Sequence, residues 1–219
     1  EDEPTYLWLV DTSASTMTKW DPSVSPPVKM SEYRVGIPQG ECPGSCCHVD
    51  GCNMASRVAI DSKGDAYVAS RGFGIQGTVT KIAGNVEDCI DRNNNGQIDT
   101  SRDGNPLNYG SDECILWTVP VGPPNALLRS MTVDMGTDQV PQGFVWVGSY
   151  NRNEIYKLNP DDGSVIATVA VPFAPYGMTM VANGDLYVSG LGDGSLLRVD
   201  TAGNQVAGRI PNPVDLRGG

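Results

Sequence analysis

The sequence predicts an all-β fold, a β-propeller of four-stranded antiparallel blades, from three observations. First, four segments share one pattern: "YLWLVDTSASTMTKWD" from Tyr6, "AYVASRGFGIQGTVTKIA" from Ala66, "FVWVGSYNRNEIYKLN" from Phe144 and "LYVSGLGDGSLLRVD" from Leu186. Each is an alternating apolar strand, a short polar turn, and a second strand closing on Lys or Arg. Period-two alternation broken by Gly, Asn and Asp is the mark of antiparallel strands. Second, the units recur at about 40 residues where no insertion intervenes, the length of a propeller blade. Third, 26 Gly and 16 Pro gather in short clusters, which favours many turns over long helices. A β-sandwich would also give many short strands, but not this repeated strand-turn-strand unit.

Lettered A to D from the hub outward, the four repeated segments supply strands B and C. "SRVAID", "RSMTVD" and "YGMTMV" precede the last three as A strands, and "SVIATVAV" and "NQVAGRIP" follow the last two as D strands. The first unit opens on its B strand, while "PNPVDLRGG" at the other end resembles the start of another A strand, as in "PFAPYGMTM". Residues 1–219 therefore read as one propeller domain with about four blades, or a portion of a larger one. A ring closed by the terminal strand is the other option, less favoured because four blades seldom close. Two insertions interrupt the repeat, a Cys-rich loop at 37–55 and an Asn-rich loop at 84–114.

Composition narrows the partners. The net charge of −11 repels phosphate backbones, so nucleic acid is excluded as a natural partner. No apolar run approaches the about 18 residues of a membrane helix, so no membrane insertion is expected. Six cysteines in Gly- and Asn-rich loops favour disulfides and an oxidising, extracellular compartment.

The units resemble the NHL and streptogramin-lyase-like propellers of secreted bacterial proteins. "NVEDCIDRNNNGQIDTSRD" followed by "DECILW" resembles an insertion found in large secreted propellers of that group. The resemblance implies a secreted propeller and leaves the activity open, because propellers host unrelated functions.

Within the second insertion, "DRNNNGQID" follows the register of an EF-hand-type calcium loop. Oxygen ligands belong at places 1, 3, 5, 7 and 9, with Gly at 6 for the sharp turn. Counting from Asp91, these are Asp91, Asn93, Asn95, Gln97 through its carbonyl, and Asp99, with Gly96 at the turn. Place 12 is Arg102 rather than an acid, and Asp103 one place later, or water, would close the shell. Such a loop is similar to those of thrombospondin type 3 repeats and dockerins. Hard oxygen ligands select Ca²⁺ over a transition metal. Cys89 and Cys114 flank it and would tie its base, making the stretch a clamp on a long loop; the alternative is an Asx-rich turn without metal.

In "GECPGSCCHVDGCN", Cys42, Cys46, Cys47 and Cys52 with His48 offer thiolate and imidazole for zinc. The spacing matches no common zinc ribbon, and adjacent Cys46 and Cys47 would strain a tetrahedral shell, so two disulfides are the favoured reading. His48 is the chain's only histidine, and it lies far in sequence from any blade strand. The histidine base that a streptogramin-type lyase needs is therefore not carried over. Acids and Asn of a lactonase-like metal site exist only as scattered residues, Asp11, Asn151 and Asp193.

Loops joining B to C share one end of a blade with those joining D to A. At that end Arg71, Phe73, Tyr150, Asn151 and Arg152 would rim the mouth of the funnel. Aromatic and Arg groups over polar turns suit a carbohydrate or a protein or peptide ligand. The expected function is a secreted, calcium-stabilised binding or scaffold module. A lyase- or lactonase-like enzyme is the competing class, and further blades or another chain are further expected partners.

Overall fold

The computed structural model describes residues 6–37, 52–102, 104–192 and 194–211. They form antiparallel sheets, and the only helical element among them is a 3-10 turn at Val86–Asp88. No helix among them is long and apolar enough to cross a membrane. The chain divides into two compact units, Glu1–Leu128 and Arg129–Gly219, each described by itself.

Unit 1 holds two blades. The first is a three-stranded sheet of β1 (Leu7–Asp11), β2 (Thr16–Asp21) and β3 (Val28–Arg34). The second runs β4 (Asn53–Ile60), β5 (Ala66–Gly72), β6 (Gln76–Ile82) and β7 (Ile115–Pro124), each strand pairing with its neighbour in sequence. Unit 2 holds two more four-stranded blades. One is β8 (Leu128–Val133), β9 (Val145–Ser149), β10 (Glu154–Leu158) and β11 (Val165–Ala170). The other is β12 (Pro175–Met180), β13 (Leu186–Gly190), β14 (Leu196–Asp200) and β15 (Gln205–Ile210).

The strand order is thus the lettered order, and the first blade lacks an A strand among the described residues. The Cys-rich insertion leaves from β3 and ends sooner than expected, since β4 already starts at Asn53. The second insertion lies between β6 and β7, the C and D strands of its blade. Strand β3 carries no clear sequence signal. It follows Pro26–Pro27 and is exposed or half-covered over Val28–Glu32, with only Tyr33 buried in the core.

Apolar side chains between successive sheets hold each unit together. In unit 1, Trp8 and Met17 of the first blade pack with Ala66, Val68 and Ile82 of the second. In unit 2, Trp146, Ile155 and Val169 meet Leu186, Val188, Leu197 and Val199. Removing such surface from water at about 25 cal/mol per Å² is the main stabilising term of each unit.

A polar device accompanies this packing in every blade. An aromatic on strand B sits directly opposite a cation on strand C: Trp8 and Lys19, Tyr67 and Lys81, Trp146 and Lys157, Tyr187 and Arg198. Where an A strand is present, an acid from the A–B turn joins the pair. Asp61 accepts from the Tyr67 hydroxyl at 2.8 Å, and Asp65 lies 3.0 Å from Lys81 Nζ. Asp134 accepts from Trp146 Nε1 at 2.9 Å and stands 3.9 Å from Lys157 Nζ. Asp185 accepts from Arg198 Nε at 2.9 Å.

The cation also reaches the next sheet. Lys19 donates to the carbonyl of Gly84, and Lys157 to that of Thr201 at 2.8 Å. Gly84 and Thr201 each lie three residues beyond the cation of their own blade. Burial lowers the pKa of Lys19 and Lys157, so these contacts matter: an ammonium taken out of water needs compensating acceptors, the Gly84 carbonyl for Lys19 and the Thr201 carbonyl with Asp134 for Lys157.

Candidate functional site

The expected calcium ligands come together in one tight turn. The Asp91 carboxylate accepts from the backbone N–H of Asn95 at 3.2 Å and of Gly96 at 2.9 Å. Asn93 and Asn95 accept from the N–H groups two residues on, at 2.9 and 2.8 Å. Their side-chain amides both approach Asp99 Oδ2, at 2.7 and 2.9 Å. Left-handed backbone at Asn94 (φ 56°) and Gly96 (φ 81°) lets the chain curl around its own side chains. Asp91, Asn93, Asn95 and Asp99 thus converge within one short loop, and Gln97 is bonded into the same turn. Asp103 lies outside the described residues. No group of three His, Cys, Asp or Glu side chains suited to a metal occurs among the described residues, so any shell here is partly amide and carbonyl. That donor set fits a hard cation such as Ca²⁺.

Two acids at the foot of the insertion complete its frame, and the calcium template does not include them. Glu113, almost wholly buried, accepts from the backbone N–H of Arg92 (2.8 Å), Asn93 (3.2 Å) and Asp99 (2.9 Å). These donors, that of Asp99 foremost, hold its carboxyl below the ordinary glutamate value. Its neighbour Asp112 accepts from Thr100 Oγ1 and from the N–H and hydroxyl of Ser101. Cys89 and Cys114 form a disulfide with Cα atoms 4.4 Å apart. Cys52 is also disulfide-bonded; Cys42, Cys46, Cys47 and His48 lie outside the described residues. The sequence signal for the frame was the adjacent pair Asp112–Glu113 just before β7.

The expected rim residues fall into two groups, one in each unit. In unit 1, Arg71 at the end of β5 lies 5.7 Å from the ring centre of Phe73, and the Phe73 N–H donates to the Cys52 carbonyl. Both side chains are half-buried rather than exposed. In unit 2, the Tyr150 ring meets that of Tyr176 edge-on at 6.1 Å, and Arg129 lies 5.3 Å from the Tyr176 ring centre. Asn151 accepts from the Ser149 hydroxyl at 3.3 Å and the Arg152 N–H bonds the Ser149 carbonyl; both side chains are exposed.

Tyr176 and Arg129 come from the A strands β12 and β8, at equivalent places four residues before each strand's end. The pairing of β12 with β13 shifts between Pro175 and Gly177, leaving Tyr176 on a bulge. A bulge re-aims its side chain, here toward the B–C turn of the preceding blade. The break in alternation at "PYG" was the only sequence trace of it.

No family model matches the chain, and no curated protein matches it in sequence. Its fold is found in solved structures. A streptogramin B lyase superposes with a TM-score of 0.63 at 14% identity, over 98% of this chain and 54% of that one. A catalytically inactive virginiamycin B lyase of Staphylococcus aureus, solved with quinupristin, gives 0.60 at 12% identity over 98% and 54%. BamB from Moraxella catarrhalis gives 0.51 at 12% identity over 96% and 46%. The chain thus spans about half the length of these proteins and has the β-propeller fold they share.

Proposed function

We propose that the chain is a secreted, calcium-braced propeller module that binds a carbohydrate or peptide through the loop end of its blades. The observation that carries this reading is the cluster of Tyr150, Tyr176 and Arg129. All three side chains are half-buried, so their geometry is pre-set while one side remains accessible. Aromatic edges and a guanidinium beside the exposed amide of Asn151 offer apolar contact and directional hydrogen bonds together. Arg71 and Phe73 supply a second pair of the same chemistry in unit 1, and Arg152 adds an exposed cation beside Tyr150. The calcium loop serves in this reading as a brace, with Asp91, Asn93, Asn95, Gln97, Asp99 and Asp103 or water around the ion. The disulfides support an oxidising compartment.

A lyase-like enzyme is the second reading, supported by the propeller likeness to streptogramin and virginiamycin lyases. Likeness at 12–14% identity carries the fold, not the chemistry. An array of glycans and peptides, run beside a panel of lactones and lyase substrates, separates the two. Saturable binding that falls at least about ten-fold in Tyr150→Ala and Tyr176→Ala, with unchanged sheet content, is expected. Substrate turnover with no loss of binding in either variant would overturn the module reading.

A further inference from the structure

The 84–114 insertion does more than leave β6 and return as β7. Gly104 lies so close to Lys29 of β3 that a Cβ there would meet Lys29 Nζ at 3.0 Å. The insertion and the first blade thereby bound a cavity of about 340 Å³, lined wholly by residues of unit 1. That lies within the range of about 300–1,000 Å³ usual for small-molecule sites. Met30, Ala83, Val86 and Cys114 give it an apolar wall. Lys19, Ser31, Tyr33 and Arg102 bring ammonium, hydroxyl and guanidinium donors. Among the described residues no acid lines it, although the chain carries 26 Asp and Glu. A cavity that gathers donors and leaves out carboxylates, in a chain of net charge −11, selects an anion.

Lys19 sharpens that choice. Its counterparts Lys81 and Lys157 stand 3.0 Å from Asp65 and 3.9 Å from Asp134. Lys19 instead donates to the Gly84 carbonyl and lies 3.6 Å from the ring centre of Tyr6. It has no carboxylate at ion-pair distance among the described residues, and Glu87 acts on it only from an exposed position. Exposed Arg102 likewise has no side-chain partner among the described residues. Tyr33 is 4% exposed and burial raises its pKa, so the phenol keeps its proton and can donate. Asp112, the acid that acts on Tyr33, is already held by the Thr100 hydroxyl, the Ser101 N–H and hydroxyl, and the Cys114 N–H.

We propose that this cavity binds a small monocarboxylate with an apolar or aromatic body. Lys19 and Arg102 take the carboxylate, and Met30, Val86 and Cys114 cover the body. The ligand gives Lys19 the kind of partner that Lys81 and Lys157 find within their own blades. A bare inorganic anion leaves the apolar wall uncovered and is the poorer occupant. The site lies at the end of its blade opposite the B–C turn, and it rests neither on ligand binding there nor on calcium.

Hexanoate, benzoate and phenylacetate, each beside its neutral amide, are titrated into the protein and followed by backbone amide chemical shifts. Saturable shifts at Ser31, Gly84 and Ser101 are expected, with the neutral amides bound at least about ten-fold more weakly. Lys19→Met keeps the apolar stem of the side chain and is expected to cut carboxylate affinity at least about ten-fold. Should that variant fail to fold, Arg102→Ala, at an exposed position, is expected to cut it at least about three-fold. Inorganic phosphate at equal concentration is expected not to displace benzoate. Equal binding of acids and amides, or no saturation by about 10 mM, would overturn the proposal. So would displacement by phosphate, or an affinity unchanged in whichever of the two variants folds.

Discussion

The blades and the 84–114 insertion are held together by opposite means. In the blades, large apolar side chains such as Trp146, Ile155 and Leu197 are fully or almost fully buried, and the charged groups among them are few and partnered. In the insertion, Val86 and Ile90 are about half exposed, and among its described residues Cys89, Ile98 and Cys114 reach the unit 1 core. Its order comes from a disulfide, two buried carboxylates and an Asx-rich turn. The difference teaches that one chain can contain a region stabilised by dehydration and another stabilised by directed polar contacts. The two should fail separately.

The largest effect is expected in the blades. Trp146→Ala removes a side chain buried between two sheets and leaves Asp134 and Lys157 without one partner. A cost of about 3–5 kcal/mol is expected from the lost burial and the cavity together. Denaturant unfolding should show it as an earlier midpoint in the whole sheet signal of unit 2. A local change only, with the sheet midpoint unmoved, would show that the blades are not held by this buried packing.

Calcium removal comes next, and it should act on the insertion alone. Binding to the folded loop and not to the open chain stabilises by mass action. Chelator is therefore expected to speed proteolysis between Cys89 and Cys114 while most sheet signal survives. Asp91→Ala should start in the chelated state and no longer respond to calcium. A variant still responsive to calcium would move the ion elsewhere.

The smallest effect concerns Glu113. Its folded pKa lies below its unfolded one, so its contribution is present above the ordinary glutamate value of 4.5 and is lost as pH falls through the lower folded value. With chelator present throughout, amide exchange at Arg92, Asn93 and Asp99 should therefore rise only below about pH 4.5, and Glu113→Gln should shift that onset. Exchange that is flat down to full unfolding would show that Glu113 does not hold the loop.

The blades were largely legible because apolar and polar residues alternate along their strands, even where both faces are buried, as in β9 and β10. "FVWVGSY" and "IYKLN" announce strands B and C, and the terminal Lys or Arg marks the repeat. What the cation does was not legible, since its partner in the next sheet is a backbone carbonyl, which has no sequence signature. β3 was missed for want of apolar contrast. At the candidate binding cluster, Tyr150 was readable from its turn, whereas Tyr176 and Arg129 meet it only through the fold and a bulge. Likewise the spacing of "DRNNNGQID" proposes ligands within the loop but not Glu113, which reaches it across the insertion.

Ile82 pairs with Ile115 as the last rung of the β6–β7 ladder, one register shift beyond Lys81, so the whole 84–114 excursion leaves and returns at one rung, and Cys89 and Cys114 close it near there. The sheet therefore experiences the insertion as it would a short turn, whatever its length. Lengthening a loop between fixed ends adds only about 0.6 kcal/mol per doubling. Such a site behaves as a socket: its cargo can be exchanged for another sequence while the blade beneath keeps its register.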